Sequence, residues 1–345
     1  MDEKKLKALR EKYGNAAGDV VFDPKFKAVA DKLFKDDGSR SLPYGGLPTF
    51  MDLKHVEDFS ALDIAVVGVP MDLGVTNRPG ARFGPRAIRG MERIGPYNHA
   101  LEITPDAACK VADVGDVPFR SRFNLEHCIE DIEAHFRRLT EAGVRTLAIG
   151  GDHSISYPIL KAIAARHGPV AMVHIDAHCD TSGEYDGSKF HHGGPFRLAV
   201  LDGLIDPERT IQIGIRGSAE FLWELSYEAG MTVIHVEEFT AMGVGAVIEK
   251  ARAVVGDGPV YVTFDVDGLG EFRREVQQLI SLWRPSEIFL DSRPWGGFHL
   301  MGMAGKQRRT HCKSRVRSAA KQSWPFTFNG FYATSPSSQN VALRI

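Results

Sequence analysis

A chain of 345 residues, 43% of them apolar and 25% charged, is long and apolar enough to bury a substantial core. A formal net charge of −2 at pH 7 and a pI near 6.7 exclude any global attraction to nucleic acid or to an anionic membrane, and leave a small molecule as the expected partner. No run of about 18 apolar residues is present, and Cys109, Cys128, Cys179 and Cys312 lack CxxC spacing, so a membrane span, a disulfide framework and a zinc knuckle are excluded as well.

Residues 1–39 read as a helical N-terminal extension. Its first stretch, MDEKKLKALREKYG, is a charged helix former without the apolar centre of a secretory signal, so the expected compartment is the cytoplasm. From residue 40 to 269, apolar β-branched runs alternate with stretches of helical period, the pattern of parallel strands joined by crossover helices. IAVVGV at residues 64–69 is the first buried strand. Between residues 124 and 142, Leu125, Ile129, Ile132, Phe136 and Leu139 recur at intervals of three and four and share one helix face, which Gly143 ends. The strands TLAIG, VAMVHI, TIQIGI, MTVIHV and PVYVTF follow, with the helical stretches YPILKAIAARHG, AEFLWELSYEAG and GAVIEKARAVVG between them. One three-layer α/β fold with a central, mainly parallel sheet accounts for the alternation.

In such a sheet, ligands bind beyond the carboxyl ends of the strands. Three strand ends carry acids and imidazoles: Gly151-Asp152-His153-Ser154, Asp176-Ala177-His178-Cys179-Asp180 and Asp265-Val266-Asp267. In extended chain, residues i and i+2 point the same way, so Asp176 with His178, and Asp265 with Asp267, each present two donors to one side. His153 and Asp180 complete the set. Four carboxylates and two imidazoles in one cleft repel and desolvate unfavourably unless cations neutralise them, and two divalent metals balance four carboxylates. Oxygen-rich ligation with imidazole and no thiolate suits manganese. Taken singly, each motif has a plainer meaning: GGDHS serves equally as a turn and helix cap, and His174, His191 and His235 read as packing, hydrogen-bonding or surface histidines.

GGDHS, DAHCD and FDVD, in this order, resemble the signature segments of the ureohydrolases, the family of arginase, agmatinase and guanidinobutyrase. The resemblance covers about residues 40–269, and GARFGPRAIR with PYGGLPTFM is more similar to the agmatinase and guanidinobutyrase branch than to arginase. It implies two Mn2+ per chain, one held by His153, Asp176, Asp180 and Asp265, the other by Asp176, His178, Asp265 and Asp267. It further implies hydrolysis of a guanidino compound, such as agmatine or 4-guanidinobutyrate, to urea and an amine by a hydroxide shared between the metals. Asp180 would aim that hydroxide, and His192, in His192-Gly193-Gly194-Pro195, matches the family's proton-shuttling loop histidine. The Gly- and Ser-rich loop before it reads as a mobile segment facing the substrate. For the arginines of GARFGP a structural role is expected, next to a helix starting at Pro85. A trimeric or hexameric homo-oligomer follows from the same resemblance.

After Leu269 the pattern departs from the family. Residues 270–345 hold 12 Lys/Arg against 4 Asp/Glu, whereas residues 1–269 hold 30 against 40. The strand-helix alternation fades, so this segment is expected to be basic, atypical and irregular, and to leave the sheet without its final strand. Its cluster at residues 306–317 lacks an aromatic platform, and a solvated tail is expected there rather than a nucleic-acid site. The family's guanidinium-gripping glutamate would belong here, yet Glu271, Glu275 and Glu287 are the only glutamates left and none has the expected context. Two alternatives stay open: a catalytically impaired metal-binding family member, and a mononuclear deacetylase-like hydrolase of related fold. The second has no need of His153, Asp180 and Asp267 together, so metal stoichiometry separates it.

Overall fold

A computed structural model describes residues 1–17, 20–33, 45–91, 97, 109–269 and 297–301. Among them, eight strands form one sheet: β1 (Ile64–Val69), β2 (Val111–Asp116), β3 (Arg145–Gly150), β4 (Val170–Ile175), β5 (Ile205–Ile215), β6 (Thr232–His235), β7 (Val260–Asp265) and β8 (Gly297–Met301). The order across the sheet is β2-β1-β3-β8-β7-β4-β5-β6, and every pairing is parallel. Every residue of β1, β4 and β7 is buried, as continuous apolar strands require when helices cover both faces of a sheet.

The helices are α1 (Glu3–Tyr13), α2 (Pro24–Leu33), α3 (Gly84–Arg89), α4 (Leu125–Glu141), α5 (Ser156–His167), α6 (Pro195–Leu201), α7 (Glu224–Glu228) and α8 (Val236–Val255). Asn124 starts α4, its side-chain oxygen accepting from the His127 amide at 2.8 Å. The strand period of two divides the core between the faces. In β4, Val170 and Met172 pack with Ile132, Phe136 and Leu139 of α4 and Ile159 and Ile163 of α5, while Ala171, Val173 and Ile175 pack with Phe239, Val247 and Ala251 of α8. Three layers result, with helices on each side of the sheet.

Departures from the sequence pattern have local causes. β2 has no unbroken apolar run because Asp113 sits inside it; that buried carboxylate accepts from Arg89 Nε at 2.8 Å, from Arg89 Nη2 at 3.0 Å and from the Phe50 amide at 3.0 Å. The long helix expected around residues 219–230 shrinks to a 3-10 turn (Glu220–Leu222) and short α7, since Trp223 turns inward onto Cys179 and Ile215.

The tail brings a correction. Gly297–Met301 supplies a strand after all, and β8 lies inside the sheet, with Phe298 in register with Leu147 of β3 on one side and Val262 of β7 on the other. Backbone pairing on both edges selects this strand, which a five-residue run among basic neighbours does not announce. The remainder of the expectation, at residues 270–296 and 302–345, lies outside the described residues, together with Glu271, Glu275 and Glu287.

Candidate active site

The carboxyl ends of β3, β4 and β7 are brought together by this strand order, β8 alone separating β3 from β7. After β3 the chain passes through Gly151, where an added Cβ would meet the Met71 carbonyl oxygen at 1.6 Å, so only glycine fits. Asp152 is a cap: its carboxylate accepts from the Ser154 amide at 2.9 Å, from Ser154 Oγ at 2.5 Å and from the Gly74 amide at 2.9 Å. His153 is thereby delivered into the cleft. Its Nε2 lies 3.0 Å from Thr263 Oγ1, leaving Nδ1 to face the acids.

His153 Nδ1 is 2.7 Å from Asp180 Oδ2, 3.2 Å from Asp176 Oδ2 and 3.8 Å from Asp265 Oδ2. On the other side of Asp176, His178 Nδ1 lies 3.5 Å from Asp176 Oδ1 and 3.2 Å from Asp267 Oδ2. Donor atoms converge in two groups able to hold a cation: His153, His174, Asp176 and Asp180 form one, and Asp176, His178 and Asp267 the other. Asp176 belongs to both. Asp265 borders the first group without joining the tightest set of either. Asp180 occupies the left-handed region at φ 51°, a conformation costly for a non-glycine residue and one that aspartate tolerates better than most.

The electrostatics show why such a cluster fits cations. Burial, with Asp267 and Asp176 beside it, holds the Asp265 carboxyl well above the usual carboxylate range, and burial with Asp176 raises Asp267 too. Hydrogen bonds to Asp176 and Asp267 push the His178 imidazole up to about 11. Burial opposes the charge on His153, yet Asp176 and Asp180 outweigh it and hold that imidazole well above its ordinary value. Without cations, these surroundings favour the protonated forms of Asp265, Asp267, His153 and His178. Every donor is oxygen or imidazole nitrogen. Cys179 is not available as a thiolate, because burial pushes its thiol up to about 12 within a cluster with Ile215 and Trp223.

His192 stands outside both groups, half-buried, with Nε2 3.0 Å from Thr76 Oγ1 and its amide donating to the Gly74 carbonyl at 2.9 Å. In the loop before it, Tyr185 and Ser188 exchange two backbone hydrogen bonds, of 3.0 and 2.9 Å, around Asp186 and Gly187, both at positive φ.

The profile of the Arginase family matches residues 62–271 of this sequence. The chain belongs to the arginase family. It is 44% identical over 230 residues to the guanidinopropionase of Pseudomonas aeruginosa, covering 66% of this chain and 72% of that one. It is 45% identical over 227 residues to the mitochondrial agmatinase of Gallus gallus, covering 65% of this chain and 66% of that one. Among solved structures, proclavaminate amidino hydrolase from Streptomyces clavuligerus superposes with a TM-score of 0.67 at 34% identity, over 75% of this chain and 89% of the other. These relatives are named as hydrolases, and the arginase-family chain is of the ureohydrolase class.

In this arginase-family site His174 has the hydrogen-bonding role expected of it, reaching Asp176 Oδ2 at 2.8 Å, although the motifs do not mark its place beside the first donor group. Nor do they mark Arg216. Arg216 donates to the carbonyls of Gly214 at 2.9 Å and of Asp267, and its amide donates to the Ala177 carbonyl at 2.9 Å, tying two of the three loops. Two arginines of GARFGPRAIR are structural: Arg82 pairs with buried Asp72, and Arg89 lies 3.8 Å from the centre of the Phe50 ring while binding Asp113 and Asp116. His191 and His235 keep the plainer roles expected, at the Gly183 carbonyl (2.7 Å) and the Tyr227 hydroxyl (2.9 Å). Among the described residues, no helix is long and apolar enough to cross a membrane.

Proposed function

We propose that this chain hydrolyses a small guanidino compound, agmatine or a guanidino acid such as 4-guanidinobutyrate, to urea and an amine with the aid of two manganese ions. The observation that carries the reading is Asp176, whose Oδ2 faces the His153 group while its Oδ1 faces His178. On this reading His153, Asp176, Asp180 and Asp265 hold the first ion. Asp176, His178, Asp265 and Asp267 hold the second. Bound there, the ions supply Lewis-acid activation of water near neutral pH.

The remaining work falls to side chains. Asp180, fixed against His153, accepts a hydrogen bond from the attacking water and aims it at the planar guanidinium carbon. An amine leaves poorly as an anion, so a proton must reach its nitrogen as the C–N bond breaks. His192 delivers that proton, with Thr76 and the Gly74 carbonyl holding its ring and backbone in place. The named activities of the relatives, a guanidinopropionase and an agmatinase, support substrates with a guanidino group at one end and an acid or amine at the other. A cytoplasmic homo-oligomer, trimer or hexamer, belongs to the same proposal.

The test is urea release by the purified 345-residue chain with Mn2+, across agmatine, arginine, 4-guanidinobutyrate and 3-guanidinopropionate. Turnover of one of them with two metals per chain is the expected result. Two bound metals without urea from any would make the chain a metal-binding member without turnover, and a single bound metal would favour the deacetylase-like alternative.

A further inference from the structure

Behind Asp176 runs a buried polar chain that the proposed reaction leaves unused. His174 and Gln212 are both fully buried, and their strands place them in direct register across the β4–β5 pairing. Gln212 Nε2 lies 2.7 Å from the Cys179 carbonyl oxygen and 3.0 Å from His174 Nδ1. His174 Nε2 lies 2.8 Å from Asp176 Oδ2, and the ring packs 4.5 Å from that of Phe196, centroid to centroid.

The direction of every bond follows from one fixed point. A carbonyl oxygen can only accept, so the Gln212 amide must turn its NH2 towards Cys179. Its second N–H then points at His174 Nδ1, which must accept, and the single ring proton of a neutral imidazole is left on Nε2. From there it is donated to Asp176. The cost of this arrangement is visible: Gln212 Oε1 is buried without a hydrogen-bond partner among the described residues, which makes sense only if both N–H groups are the ones required.

We propose that Gln212 and His174 are positioning residues which hold the His174 Nε2–H tautomer against Asp176 Oδ2. They thereby orient the carboxylate shared by the two metal groups and keep His174 itself from serving as a ligand, although it lies within the first group. The proposal rests on the functional reading only in taking Asp176 to hold metal.

The test uses Mn2+ affinity, measured by chelator competition, and the tautomer, read from long-range 15N–1H correlations of 15N-histidine protein. His174→Phe keeps the packing and removes the donor; Gln212→Glu removes both amide donors and calls for a proton on Nδ1. Both should weaken Mn2+ binding by roughly 10- to 100-fold, the scale on which partners of metal ligands act. The thermal midpoint of the metal-free protein should stay near wild type in His174→Phe. His174→Gln, which restores an N–H near Nε2, should recover most of the affinity, an outcome a merely structural role does not predict. An Nδ1–H tautomer in the wild type, or undiminished Mn2+ affinity in folded His174→Phe or Gln212→Glu, would overturn the proposal. Should His174→Phe fail to fold, the tautomer and Gln212→Glu decide. Neither readout involves urea, so a chain that releases none while showing these shifts loses the hydrolase reading and keeps this one.

Discussion

The two halves of the acidic cluster sit in different surroundings. The side chains of His153 and Asp176 are each 1% exposed and that of Asp180 is 9% exposed, whereas His178 is 49% and Asp267 23% exposed. Electrostatic and hydrogen-bonding interactions are stronger in the dry half, where little solvent screens them, and a group removed there leaves its partners without water to replace it. The open half is reached by solvent, which can replace a group removed there. On the proposed function both halves hold an ion, so the contrast is one of solvent access rather than of task.

The largest effect expected is at the residue common to both halves. Asp176→Ala should reduce urea release to background and weaken both metals by more than the ~100-fold that changes behind a ligand produce. Loss of only one metal on elemental analysis would show that the halves are not joined through this carboxylate. His192→Ala comes next. It should lower kcat by roughly 10²- to 10⁴-fold with both metals retained, because His192 belongs to neither half. Metal loss in that variant would place it within the cluster, and unchanged kcat would remove it from the reaction.

The halves themselves are compared by His153→Ala and His178→Ala. The first removes a buried imidazole from among three carboxylates and should cost the metal-free fold roughly 3 kcal/mol, read from denaturant unfolding. The second, half-exposed, should cost the fold less, because solvent can replace the lost partner of Asp176 and Asp267, and should weaken the second metal more than the first. Equal destabilisation by both would erase the distinction. The smallest effect concerns pH. In the metal-free chain, hydrogen bonds to Asp176 and Asp267 raise His178 to about 11, and burial beside Asp267 and Asp176 holds Asp265 well above the usual carboxylate range, so both favour their protonated forms more than a free imidazole or carboxylate does. A cation must displace those protons, so Mn2+ affinity should rise with pH and binding should release protons. Calorimetry in buffers of different ionisation enthalpy measures the release, and an affinity independent of pH between 6 and 8, roughly, would contradict it.

Much of the architecture is written in local pattern. β1, β4 and β7 stand where their apolar runs lie, and α4 begins and ends at Asn124 and Gly143, because strand and helix periods act over a few residues. β2 was hidden because Asp113 interrupts its apolar run, and that charge is tolerable only through Arg89, a partner 24 positions away. The site was legible in part for the same reason. Asp176 with His178, and Asp265 with Asp267, are indeed local neighbours, though through tight turns rather than extended chain: Asp176 Oδ1 accepts from the His178 amide at 2.8 Å and Asp265 Oδ1 from the Asp267 amide at 2.9 Å. The structure brings both pairs with His153 and Asp180 into one cleft. The Thr76 contact to His192, spanning 116 positions, leaves no local trace.

What the sequence determined by itself is six of the eight described strands, β1 and β3 to β7, and the acids and imidazoles at the ends of β3, β4 and β7, since side-chain alternation is fixed by the geometry of single residues. Tertiary structure alone decided that β8 separates β3 from β7, that Gln212 lies opposite His174, and that His153 is dry while His178 is open. Parallel neighbours are joined by crossovers and are chosen by backbone pairing and helix packing over the whole sheet, so no stretch of chain short enough to show a period can encode which strands meet.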